Sequence, residues 1–166
     1  KSSGKSHLYH SMQTKRAYSV HVRGNSTLPM SREFNVKGKQ YSIQLIDGHE
    51  NKPDNSEVNL IYLCFDITSQ KSFDYIKKNW GQRVTKKQKL LGHRVDRVLV
   101  GTKYDLKAKR KVSRKTAEDF AHSLGIIYIE VSSHKYMNVS QLHTYALYRQ
   151  IYLDRMNSLG ITPKFL

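Results

Sequence analysis

The stretch Val98-Leu99-Val100-Gly101-Thr102-Lys103-Tyr104-Asp105 changes character midway, from a dense apolar run into a polar loop that carries a lysine and a carboxylate two residues apart. Short runs of this kind with β-branched residues are expected of strands buried on both faces, so Arg97–Val100 reads as a central strand that empties directly into a loop. Val58–Phe65 before it and Ile126–Ile129 after it read the same way. Between the last two strands, Ser113 precedes Ala117, Phe120, Ala121 and Leu124, an i, i+3, i+4, i+7 stripe opened by a capping hydroxyl and closed by Gly125. That spacing predicts a helix. Leu142, Tyr145, Ala146, Arg149, Tyr152 and Leu153 predict a long second helix near the end, followed by a tail over 157–166 that holds Gly160 and Pro163. Glu33–Val36 and Tyr41–Ile46 flank Lys37-Gly38-Lys39 and read as a hairpin around a Gly turn. Strands alternating with helices give the α/β class, a mostly parallel sheet with helices on both faces.

The chain has 166 residues, the size of one domain with one core, so 1–166 is expected to be a single domain. It is 38% hydrophobic and 25% charged, a globular balance, and no apolar run approaches the roughly 20 residues that span a bilayer. A soluble, cytoplasmic protein is expected. Cys64, the single cysteine, lies in the apolar run Leu60–Phe65, where a buried thiol is expected and an intrachain disulfide is excluded. A net charge of +16 attracts polyanions: nucleotides, acidic lipid headgroups, acidic proteins or nucleic acid. The basic clusters Lys86-Lys87-Gln88-Lys89 and Lys107–Lys115 read first as solvated surface and next as contacts to an acidic membrane surface or protein. RNA comes last, because no stacking aromatics are interleaved with them. Tyr145, Tyr148 and Tyr152 have helical spacing, which suits a core or an interface. The chain opens on Lys1-Ser2-Ser3-Gly4, without Met or an apolar leader, as expected of a cut made inside a folded unit.

Two segments carry chemistry. After the strand, the Asp105 carboxylate is of the type that accepts from the exocyclic amine and the ring N–H of guanine together, a pattern adenine cannot satisfy, while the Lys103 stem lies over the base. The opening Lys1-Ser2-Ser3-Gly4-Lys5-Ser6 is the second half of G-x-x-x-x-G-K-[ST]. There backbone N–H groups and a helix N-terminus cradle phosphates, the lysine reaches the β/γ oxygens and the hydroxyl binds Mg²⁺. Thr102-Lys103-Tyr104-Asp105 resembles the N/T-K-x-D guanine-specificity element of the Ras superfamily, with Thr102 as in the Rac-like branch. Glu130-Val131-Ser132-Ser133 resembles the E-x-S-A loop that closes on the base, with Ser133 in place of Ala and His134 in place of Lys. Tyr41–Asp47 and Thr68-Ser69-Gln70-Lys71-Ser72-Phe73 look closest to the Ras/Rheb branch, and the elements occur in the superfamily's order over nearly the whole chain. The resemblance implies a P-loop NTPase of the small-GTPase type that binds GTP or GDP with Mg²⁺. Its site residues would be Gly4, Lys5, Ser6, Thr102, Lys103, Asp105, Ser132 and Ser133.

The departures fall where such proteins hydrolyse and switch. The strand and leading Gly that precede the phosphate loop are absent, so the sheet is expected to lack its central strand and the sequence to be a fragment. D-x-x-G is compressed to Asp47-Gly48-His49-Glu50. Strand periodicity places Asp47 where a carboxylate reaches Mg²⁺ through water; alignment on Gly48 puts Leu45 there instead. From Asp47 to Ser72 the chain is roughly seven residues shorter than the pattern, which leaves 48–56 as a loop. His49 then stands in the place of the Gln that orients the attacking water, and is either catalytic or merely solvated. Asn25, Ser26 and Thr27 lie near the place of the metal-binding switch threonine, with Thr27 preferred. No prenylation Cys stands at the C-terminus. The resemblance thus implies a guanine-nucleotide-binding signalling protein, a GTPase with slow or impaired hydrolysis, that meets protein effectors or regulators and is cytoplasmic or peripheral at membranes. The alternative is a catalytically dead pseudo-GTPase serving as a scaffold or as a domain of a larger regulator.

Overall fold

The computed structural model describes residues 3–15, 30–46, 59–80 and 95–160. Strands β1 (Met30–Val36) and β2 (Lys39–Leu45) form the expected antiparallel hairpin, with Phe34 opposite Tyr41. Its turn has positive φ at both central residues, 52° at Lys37 and 80° at Gly38, the geometry whose twist matches the flanking strands. The Asn35 side-chain oxygen accepts from Gly38 N at 3.1 Å and steadies the turn. Tyr41, Ile43 and Leu45 alternate with exposed neighbours, the period of two of a half-buried strand.

A second sheet holds β3 (Leu60–Asp66), β4 (Asp96–Thr102) and β5 (Ile127–Glu130) in the order β3-β4-β5, all parallel. Among the described residues the hairpin and this sheet remain separate sheets. β4 runs on through Thr102 rather than ending at Val100, and β5 is displaced by one residue from 126–129, so Thr102 is a strand-end residue and Glu130 the last of its strand.

Side-chain alternation on these strands sorts the helices. Leu63, Phe65 and Leu99 face one way and bury Phe73 and Ile76 of α2 (Gln70–Trp80) with Ala117 and Ala121 of α3 (Arg114–Ser123). Cys64, Val98 and Val100 face the other way and bury Leu8 and Met12 of α1 (Lys5–Thr14) with Val139 and Leu142 of α4 (Val139–Ser158). Helices on both faces of a mostly parallel sheet are the expected architecture. The Cys64 thiol is buried in the second cluster, as its apolar neighbours require. α2 starts where Ser69 Oγ accepts from Ser72 N at 3.3 Å. α3 starts at the predicted cap, Ser113 Oγ accepting from Thr116 N at 3.0 Å, and stops before Gly125 at φ 63°. α4 continues through Ser158, into the span expected as tail. Of its tyrosines, Tyr145 packs on the core whereas Tyr148 is 68% exposed. No described helix is long and apolar enough to cross a membrane.

His143 of α4 is buried against α1, with Nε2 at 3.2 Å from the Met12 carbonyl and Nδ1 without a hydrogen-bond partner among the described residues. Burial, then the positive charge of Arg32, push its pKa below the ordinary 6.5, although the Met12 carbonyl opposes them. The folded state therefore refuses a proton that the unfolded chain accepts, so stability is complete above 6.5 and falls as pH drops toward the depressed folded value. His143→Gln removes this dependence. Urea unfolding is expected to show the wild type losing stability relative to that variant on acidification from neutral pH.

Candidate functional site

The carboxyl ends of β3, β4 and β5 lie on one rim of the sheet, the place where open α/β sheets take ligands. Thr102 ends β4, and its hydroxyl lies 2.8 Å from the Ser3 carbonyl and 3.0 Å from the Phe65 carbonyl. It thereby joins the segment before α1 to the ends of β3 and β4. Gly4 follows Ser3 at φ 75°, and a Cβ placed there would come 2.9 Å from Thr102 Oγ1. Only glycine allows both the left-handed turn and this approach. α1 starts at Lys5 behind Gly4, an N-cap residue that makes no side-chain cap hydrogen bond. Lys5 and Ser6 are exposed on that turn, and Lys5 Nζ donates to Ser3 Oγ at 3.1 Å.

Beyond Thr102 the chain turns through Lys103 at φ 62° into a 3₁₀ helix, Tyr104–Lys109, that the sequence reading did not anticipate. Tyr104 N donates to Val131 O at 3.0 Å, and Val131 N to Gly101 O at 2.8 Å, which lays this loop beside the one after β5. Ser132 Oγ donates to Asp105 Oδ1 at 2.5 Å and accepts from Lys135 N at 3.0 Å. Reciprocal bonds between Ser132 and Met137, at 2.9 and 3.0 Å, close the second loop. Buried Ser11 of α1 donates to the Ser133 carbonyl at 3.4 Å. Gly4, Thr102, Lys103, Asp105, Ser132 and Ser133 thus belong to one hydrogen-bonded rim, with Lys5 and Ser6 on the helix that leaves it. Thr27, Asp47, Gly48 and His49 lie outside the described residues, as does the Lys86–Lys89 cluster.

Two buried carboxylates brace this rim. Asp66, at the end of β3, accepts from Thr68 N at 2.8 Å and Thr68 Oγ1 at 2.7 Å through Oδ1, and from Lys103 Nζ at 2.6 Å through Oδ2. Glu130, at the end of β5, takes a two-pronged bond from Arg110, both contacts at 2.8 Å, and one from Tyr128 Oη at 2.7 Å. Burial pushes both carboxyls up. The hydrogen bonds from Lys103 and Thr68 for Asp66, and from Arg110 and Tyr128 for Glu130, outweigh it and hold both below their ordinary values. The sequence reading missed Asp66, Arg110 and Tyr128. A carboxylate closing the apolar run 60–65 was the signal, since buried charge demands a partner.

Phosphate recognition is a chemistry this rim fits: an uncapped helix N-terminus, a glycine admitted at van der Waals contact, and Lys5 beside it. The described residues include no group of three or more His, Cys, Asp and Glu able to hold a metal ion. Ser6 is the described member of the expected Mg²⁺ set, and one hydroxyl suits an ion that keeps most of its shell in water and phosphate oxygens.

Residues 1–152 match the family model described as the Ras family. Ras-related protein Rab-13 of Bos taurus is 33% identical over 117 residues, 66% of this chain and 56% of that protein. Ras-related protein Rab-8B of Bos taurus is 38% identical over 81 residues, 49% of this chain and 37% of that protein. The matched stretches span about half or less of these relatives' length. With residues 1–152 covered by its model, the chain belongs to the Ras family of small GTPases.

Proposed function

We propose that the protein binds GDP and GTP on this rim and hydrolyses GTP slowly. The observation that supports the reading most is the hydrogen-bonded union of Thr102, Asp105 and Ser132 with the Gly4 segment, which sets a base-reading carboxylate and a phosphate-type helix terminus on one edge. In this reading Asp105 accepts from the amine and ring N–H of guanine through both oxygens. Ser132 donates to it and orients it, Lys103 lays its stem over the base, and Ser133 closes the pocket. Thr102 holds Gly4 close, the first-turn N–H groups of α1 and Lys5 hold the phosphates, and Ser6 gives Mg²⁺ a hydroxyl. When bound, the metal neutralises phosphate charge. Asp47 through water, and Thr27, are proposed to complete its shell, and His49 to stand beside the attacking water. With a His there in place of the Gln, turnover is slow, and catalysis consists of positioning and electrostatics.

Effectors and regulators are proposed as protein partners, with nucleic acid disfavoured. Contact with an acidic membrane surface would rest on Lys107, Lys109 and Lys111, because Arg110, Arg114 and Lys115 of the same run are already paired with Glu130, Glu118 and Asp119. A cytoplasmic location, with peripheral contact at membranes through these lysines, is proposed with it.

Titration of the full-length protein with a fluorescent GDP analogue tests the reading. GDP is expected to displace the probe and ADP to fail at a hundred times the concentration; equal displacement by both contradicts guanine recognition. Single-turnover GTP hydrolysis then separates a slow enzyme from a scaffold that binds nucleotide without turnover.

A further inference from the structure

We infer that Asp66 is a positioning residue for the nucleotide site, fixing through Lys103 where the lysine stem lies over the base. The inference rests on the guanine reading above and extends it to a residue on a different strand.

Lysine carries a long flexible stem, and ordering it costs entropy that a single contact with a base does not offset. Here both ends of the stem are fixed before any base arrives. The backbone of Lys103 is held at φ 62°, and Nζ sits 2.6 Å from Asp66 Oδ2. The carboxylate is itself immobile. Its other oxygen takes two bonds from Thr68, the Asp66 backbone N donates to Ser72 Oγ at 3.1 Å, and its side chain is 6% exposed against 35% for Lys103. The lysine must therefore come to the carboxylate. With the head group neutralised there, the lysine acts on the base through its methylenes, and its charge is withheld from the phosphates.

A clamp that merely tied β3 to β4 would show the same distances, so the test must separate positioning from stability. Fluorescent GDP titrations of the full-length protein are compared for the wild type, Asp66→Asn, Lys103→Met and the double variant. Asn keeps the shape and the bonds to Thr68, and Met keeps the stem without its anchor. Each single change is expected to weaken GDP about tenfold, and the double variant to be no weaker than either, the signature of one shared interaction. Ser113→Ala, which removes the cap of α3 and touches neither Asp66 nor Lys103, is expected to lower the melting temperature with GDP affinity within about twofold of wild type.

Should a single variant fail to fold because a charge is stranded, the double variant, which strands none, still decides. Weakening of about tenfold supports positioning, and wild-type affinity overturns it. Independent losses that multiply in the double variant, or a Ser113→Ala loss as large as that of Asp66→Asn, also overturn it. A wild type that binds no GDP removes the guanine reading and this inference together, whereas GDP binding without coupling removes this inference alone.

Discussion

Asp105→Asn is expected to weaken GDP binding by about a thousandfold while leaving the fold intact. In the proposed complex a carboxylate that accepts twice from guanine becomes an amide that presents a donor to the guanine amine, so a charge-assisted pair is lost and one polar group is left facing another of like sense. The change stays local, because the Asn oxygen can still accept from Ser132 Oγ, now 2.5 Å from the carboxylate. The converse is also expected. Xanthine carries a carbonyl where guanine carries the amine, so xanthosine diphosphate should bind the variant better than the wild type. Competition titrations with the two nucleotides check both halves.

Glu130→Ala is expected to be the most damaging single change to folding among the rim residues. Glu130 is 6% exposed, and its removal takes the carboxylate from the Arg110 guanidinium, which keeps its bond to the Val112 carbonyl, and from the Tyr128 hydroxyl. Breaking a buried pair from one side costs about 3 kcal/mol, or about 10 °C of melting temperature for a domain of this size. The void cannot easily be refilled from the strand beside it. Gly101 is already so close that a Cβ there would lie 2.5 Å from Tyr128 Oη. The pH dependence carries a definite sign. Because the folded carboxyl is held below its ordinary 4.5, its contribution is complete above that value and is lost as pH falls through the folded pKa. The gap between wild type and variant in urea melts should therefore be widest near neutrality and narrow in acid.

Much of the fold was legible because its determinants are local. The Ser113 cap, the Gly125 stop and the Lys37-Gly38 turn are each specified within a few residues, and each stands where expected. Strand ends were less legible. β4 outruns its apolar run because its last residues, Gly101 and Thr102, are polar or small yet buried by neighbours distant in sequence. The candidate site divides the same way. Thr102, Lys103, Asp105, Ser132 and Ser133 could be named as candidates because they follow buried strands in loops that resemble the family's, and the structure gathers them on one rim. Asp66 and Arg110 were missed because each is defined by a partner across the sheet, Lys103 for one and Glu130 for the other.

The central claim is that guanine nucleotide sits on the rim formed by the Gly4 segment and the loops after β4 and β5. Amide chemical-shift mapping of the ¹⁵N-labelled full-length protein during addition of GDP tests it directly. The largest shifts are expected at Gly4, Lys5 and Ser6, at Lys103 to Asp105, and at Ser132 and Ser133, with little change on the outer face of α3. Shifts confined to other surfaces, or none at saturating GDP, would contradict it.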